Sequence, residues 1–198
     1  MRIDHVLQAA LGEKTGLRFN PVDLEPDAIR AVLINEVAPA DPKDDFYGGP
    51  GAAYPAAAIP LFRRAGAPVD SVSDLLGLGV YLTNAVKRPK VASAIPLAAI
   101  QESLPALARE LALFPNVKAI LLMGDVAKKA YNLIAKKATG KNAVPAGSTY
   151  RLRSQAFYRG NVRVMPSYIM TGKNPLIEKS KIQMAAEDIA LMLELIQK

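Results

Sequence analysis

The chain has 198 residues, a net charge of +7, 51% hydrophobic residues, no cysteine and one histidine. That apolar content excludes a disordered chain, and the missing cysteine excludes disulfides, thiol catalysis, a cysteine-ligated iron–sulfur cluster and a zinc site built on Cys and His. No apolar run approaches the ~20 residues that span a bilayer, and with no signal-peptide core at Met1–Leu11 the protein is expected in the cytoplasm.

The lone His5 falls in an amphipathic segment and reads as a surface or helix-packing residue. The charge is unevenly spread. Residues 118–173 carry eleven Lys or Arg and one acid, Asp125, a balance of +10, whereas residues 1–117 sum to −2 and 174–198 to −1. A basic third of this kind is what a polyanion-binding face looks like in sequence.

In chain order, residues 3–11 predict a helix with Asp4 as its N-cap. A Pro-containing connector, Leu17–Ala28, precedes a first strand, Ile29–Val37, whose consecutive Ala31, Val32, Leu33 and Ile34 require burial on both faces. Ala38–Tyr54 is a long loop with three Gly, three Pro and three Asp. A loop of that length in a compact domain is usually functional or disordered. Asp41, Asp44 and Asp45 read as its turn and surface residues. Two short helices are expected at Pro55–Gly66 and Ser71–Leu78.

Val80–Val86 predicts a second strand, apolar on both faces and therefore central and parallel. Ile95–Phe114 is helical by period, with Pro105 expected to interrupt it. Val117–Met123 is the third strand, and Gly124 leads into a helix over 125–137 whose first turn Asp125 complements. Lys136–Gly160 is basic and irregular, with a hairpin expected near 149–158. Asn161–Val164 leads a fourth strand ending at Met165-Pro166-Ser167, and Pro175–Gln197 is a final helix with an apolar stripe from Ile182 to Ile196.

Strands alternating with helices predict an α/β fold of three layers, αβα, around a central four-stranded parallel sheet, as one domain over 1–198. Ligands bind such sheets at the carboxyl ends of the strands. Those ends bring Glu36–Tyr47, Asn84–Lys90, Met123-Gly124-Asp125 and Pro166–Lys173 around one cleft. Asn84 stands where its amide, with one acceptor and two donors in a plane, can read a planar heterocycle.

These same segments resemble the motifs of the uracil-DNA glycosylase superfamily, most closely the branch that in other members carries an iron–sulfur cluster. Ile34-Asn35-Glu36-Val37-Ala38-Pro39 is similar to a strand ending in Gly-Glu-Ala-Pro. Tyr81-Leu82-Thr83-Asn84-Ala85-Val86-Lys87 is similar to Tyr-Ile-Thr-Asn-Val-Val-Lys, and Leu121–Ala127 to a Leu-Leu-Gly-x-x-Ala turn. Met165-Pro166-Ser167-Tyr168 stands where the family has His-Pro-Ser. The order and spacing cover most of residues 29–190. The cluster cysteines are absent, Met165 replaces the histidine, and one extra residue separates the acid of the first motif from its proline.

The resemblance implies hydrolysis of the N-glycosidic bond of uracil or a related deaminated base in DNA, by a monomer without cofactor, membrane or metal cluster. The base leaves the stack for a pocket, donors stabilise it as an anion, and a carboxylate or amide places a water. Asn84 would read the base. Glu36 or Asn35 would hold the water, and Phe46 or Tyr47 would stack on the base. Met165, also against the base, cannot donate a hydrogen bond. Losing one such donor costs roughly 10²–10³ in rate, so a slow enzyme is expected. Ser167 would contact a phosphate, with Tyr168, Ile169 and Met170 as a wedge. Lys87, Arg151, Arg153, Arg159 and Lys173 would line the DNA backbone. The alternative is a non-catalytic DNA- or nucleotide-binding member of the same fold. A hydrolase or transferase for a small anion lacks its signatures: the chain has no G-x-S-x-G, P-loop or G-x-G-x-x-G.

Overall fold

The computed structural model describes residues 1–12, 16–171 and 179–197. Helices α1 (Ile3–Leu11), α2 (Ala53–Arg64), α3 (Val72–Gly77), α4 (Leu97–Leu111), α5 (Asp125–Thr139), α6 (Thr149–Leu152) and α7 (Lys179–Gln197) alternate with strands β1 (Ala31–Val37), β2 (Val80–Val86), β3 (Ala119–Met123), β4 (Phe157–Arg159) and β5 (Val162–Ser167). The sheet runs β2-β1-β3-β5-β4. The first four are parallel neighbours. The fifth, β4, is a short antiparallel addition to β5, so among the described residues the sheet has five strands rather than the expected four. The hairpin expected near 149–158 is not there: residues 149–152 form a helical turn, and the antiparallel pair is β4–β5, over 157–167.

Side chains of a strand alternate between its faces, and the apolar runs fill both. Ala31, Leu33, Val80, Leu82, Leu121, Met123 and Met165 pack with Phe62 and Leu61 of α2 and Ile189, Met192 and Ile196 of α7. On the opposite face Val32, Ile34, Tyr81, Ala85, Ile120 and Leu122 pack with Ile3 and Leu7 of α1, Ile100 and Leu107 of α4, and Ala130 and Tyr131 of α5. Helices thus cover both faces, which is the three-layer αβα arrangement.

Several local expectations change. Strand β2 is an edge strand, although buried on both faces. Its outer edge is closed by other groups: the Asn20 amide donates to the Leu82 carbonyl (3.0 Å), the Leu82 N–H donates to the Tyr47 hydroxyl (3.1 Å), and the Arg18 N–H donates to the Lys87 carbonyl (2.9 Å). Helix α4 runs through Pro105. Both Pro105 and Gln101 are exposed, so the carbonyl that loses its i+4 partner is open to water. Asp4 is not a cap: α1 has no side-chain cap, and Asp4 instead accepts from Arg2 (2.8 and 3.1 Å) and the His5 N–H (3.0 Å). Helix α3 does begin with a reciprocal capping box between Ser71 and Asp74.

Candidate active site

The polar residues of β1 and β2 meet at the carboxyl ends of these strands. Asn35 and Asn84 stand opposite each other in the parallel register and share the face of Leu33 and Leu82, toward α2 and α7. The Asn35 amide donates to the Asn84 oxygen (2.9 Å), and the Asn84 amide donates to Asp45 Oδ1 (2.8 Å). At the other end Thr171 Oγ1 donates to Asn35 Oδ1 (2.9 Å). The Phe46 N–H also donates to Asp45 Oδ1 (2.9 Å). Because an ionised carboxylate only accepts, Asp45 fixes the direction of the whole chain: Thr171 to Asn35 to Asn84 to Asp45.

Asn35 and Asn84 are 0% and 2% exposed and Thr171 3%, whereas Asp45 is half-buried. The chain is therefore reached from solvent on the Asp45 side. Burial pushes the Asp45 carboxyl above the usual carboxylate range, opposed by the Phe46 N–H, the Asn84 amide and the charges of Lys87 and Arg18. Arg18 holds the loop that follows β1, donating to the carbonyls of Pro39 and Ala40 (both 2.8 Å). Tyr54 pins the same loop region from α2 by donating to the Val37 carbonyl (2.8 Å).

Glu36, one residue along β1, points the other way. Its Oε1 accepts the Val126 N–H at the start of α5 (3.2 Å). Burial raises its pKa, the Val126 N–H lowers it, and the nearby Asp125 charge adds to the rise. Gly124 makes room for it: at φ +107°, a Cβ here would lie 2.3 Å from Glu36 Oε1. Glu36 borders a cavity of about 390 Å³ together with Gly124, Ser148, Tyr150, Ser167 and Tyr168. Asn84 is not part of its lining. The residues expected around one crevice thus divide between this cavity and the Asn35–Asn84–Asp45 cluster.

Other expected site residues are committed to the fold. Phe46 is 2% exposed and packs on Tyr54 (5.3 Å, 57°). Tyr47 stacks on Tyr81 (5.9 Å, 20°) while closing the edge of β2, and burial raises its hydroxyl pKa. Phe46 is thus buried, and one face of the Tyr47 ring is taken by Tyr81. Met165 is core, opposite Leu121 and two residues short of Ser167. The Ser167 hydroxyl donates to Asp188 of α7 (2.6 Å), and Asp188 in turn pairs with Arg153 (2.9 Å). Arg153 also holds Glu187 (3.0 Å) and the Met184 carbonyl (2.8 Å). Ser167 and Arg153 therefore fasten α7 to the end of β5 instead of facing a phosphate. The balance for Asp188 is a raised pKa, set by burial against the Arg153 and Ser167 contacts.

Lys87 is likewise corrected. Its ammonium is 2% exposed and pairs inside the protein with Glu110 of α4 at 2.5 Å, beside the Thr83 hydroxyl. Arg151 is exposed and has no carboxylate partner among the described residues. Arg159 lies over the Tyr131 ring at 5.8 Å, and Tyr168 lies beneath Lys181 at 5.6 Å. Lys173 lies outside the described residues.

Sequence reasoning missed Asp45, Tyr54 and Thr171. A signal for the first existed: Asp45 directly precedes Phe46 and Tyr47, and burying two aromatics draws their neighbour inward. Among the described residues no group of His, Asp and Glu could hold a metal ion, and no helix is long and apolar enough to cross a membrane.

No curated protein matches the chain. A family model described as the uracil DNA glycosylase superfamily matches residues 27–186, a span that runs from the turn before β1 into α7 and includes every member of the Asp45 chain. By that match, which covers most of its length, the chain belongs to the uracil DNA glycosylase superfamily.

Proposed function

We propose that the protein is a DNA glycosylase that hydrolyses the N-glycosidic bond of uracil or a related deaminated base in DNA. The observation that carries this reading is the amide pair Asn35–Asn84, held in one orientation at the carboxyl ends of adjacent strands, within a chain of this superfamily. Asn84 uses one donor on Asp45 and one lone pair on Asn35, leaving a second N–H and a second lone pair, which match the O4 and N3–H of uracil. The amide is 2% exposed, and a base would approach it from the Asp45 side, where the cluster meets solvent. Asn35 is favoured over Glu36 as the partner of Asn84, since Glu36 is bonded to the start of α5.

The reaction needs water and no cofactor, and we assign the protein as a cytoplasmic monomer acting on DNA. The backbone-binding face is the basic third of the chain, with Arg151 and Arg159 as its described contributors and Lys173 beyond them. A second reading, a non-catalytic DNA-binding member of the fold, is favoured by the burial of Asn84 at 2%. Incubation with a labelled oligonucleotide containing one uracil separates the two. The glycosylase yields an abasic site, and Asn84→Ala abolishes it. Salt-sensitive binding without an abasic product supports the binding module, and no binding at low salt removes both.

A further inference from the structure

We infer that Asp45, and not Glu36, is the carboxylate that takes the proton from the attacking water. The inference rests on the glycosylase reading above and names the acid–base group of that site. Three observations converge on it. Asp45 Oδ1 is 2.8 Å from the Asn84 amide, whereas the Glu36 carboxylate is turned to the Val126 N–H at the start of α5. Asp45 is the one member of the Thr171–Asn35–Asn84–Asp45 chain with substantial solvent access, so a base that passes into the cluster leaves its sugar beside this side chain. Finally, both hydrogen bonds to Asp45 fall on Oδ1, from Asn84 and from the Phe46 N–H. Oδ2 has no partner among the described residues, and it is the oxygen free to accept a water proton.

The step balances with water alone. The water oxygen bonds to C1′ of the sugar as the bond from C1′ to the base nitrogen breaks, its electron pair leaving with the base. Asp45 Oδ2 takes the water proton and then releases it to the departing base anion or to solvent. The two hydrogen bonds on Oδ1 hold the carboxyl group in place through both transfers. Burial supports the assignment by keeping this carboxyl more basic than an exposed aspartate.

The test is excision of uracil from a single-uracil oligonucleotide by the native protein, Asp45→Asn and Glu36→Gln, with oligonucleotide binding measured in parallel. Asn at 45 retains an oxygen for the Asn84 and Phe46 N–H groups, so the variant is expected to fold and to bind. Its kcat falls by about 10²–10⁴, the usual contribution of a general base, with KM little changed. Glu36→Gln retains most of the rate. The native kcat/KM falls as pH drops through the Asp45 titration, and that acid limb is missing in whatever activity Asp45→Asn retains. An active native protein whose Asp45→Asn variant keeps its rate overturns the inference and leaves the glycosylase reading standing. So does a collapse in Glu36→Gln alone. If Asp45→Asn proves unfolded, the native pH profile decides, and a profile flat on the acid side overturns the inference. Absence of excision by the native protein removes the reading and the inference together.

Discussion

Glu110→Gln tests the most deeply buried ion pair among the described residues. Lys87 and Glu110 are 2% and 0% exposed and face each other across β2 and α4 at 2.5 Å. The carboxylate is otherwise satisfied: Tyr81 donates to Oε1 (2.7 Å), the Thr83 hydroxyl lies 3.0 Å from both oxygens, and Asn20 donates to the Tyr81 hydroxyl (2.6 Å). Gln at 110 preserves the shape and the contact with Tyr81 but removes the counter-charge, and turns an amide N–H₂ toward the Lys87 ammonium. An ammonium left buried without its partner costs about 3–5 kcal/mol. In urea, with a slope of about 2 kcal/mol/M for a chain of this size, the unfolding midpoint drops by roughly 2 M. Replacing both partners together, Lys87→Met with Glu110→Leu, removes both charges and is expected to cost far less than the two single changes summed, so the double-mutant cycle returns a large coupling. Circular dichroism through a urea titration supplies the midpoints. A loss under about 1 kcal/mol for Glu110→Gln, the size seen for exposed pairs, would refute the reasoning.

Other consequences are as direct. The raised Asp45 pKa means the folded chain holds that proton more tightly than the unfolded one, so ionisation disfavours the fold. That penalty grows as pH rises through the ordinary carboxylate range to the raised value, then stays constant. Asp45→Asn therefore melts higher than the native protein at neutral pH, and the gain disappears in acid below about pH 4; thermal scans across pH check it. Met165→His places a polar ring in the core beneath α2 and α7, lowering stability by about 1–3 kcal/mol. It leaves uracil excision no faster, and faster excision without loss of stability would put residue 165 against the base. Arg151→Glu weakens DNA binding at low salt and reduces the salt slope by about one while the melting temperature holds. Arg153→Ala does the reverse, since Asp188 and Glu187 lose their cation.

The layers and the strands of the parallel sheet were legible because long apolar runs can only be strands buried on both faces, and Val80–Val86 and Ala31–Val37 are such runs. That β2 lies at the edge was not legible, because Asn20 and Tyr47 cover that edge from 35 or more residues away in sequence. In the site, Asn84 was readable as a strand-end amide. The choice between Asn35 and Glu36 was not, since adjacent residues of a strand point to opposite faces and only the packed sheet says which face holds Asn84. Lys87 carries no local mark of burial either: its partner Glu110 is 23 residues on, in helix α4. Asp45 reads as a turn residue because Gly, Pro and Asp dominate its loop, a composition that masks the signal of the two aromatics beside it.

The unpaired margin of β2 has a further consequence. A strand with open N–H and C=O groups is a template for another chain, and proteins are selected to blunt it. Here an asparagine amide, a tyrosine hydroxyl and one backbone amide occupy the positions a sixth strand would take, while the opposite margin is the three-residue β4. A second copy finds the rungs at Leu82 and Lys87 already taken. Asn20→Ala combined with Tyr47→Phe would free the rungs at Leu82, and the expected penalty is a chain that clumps on warming before its core has melted.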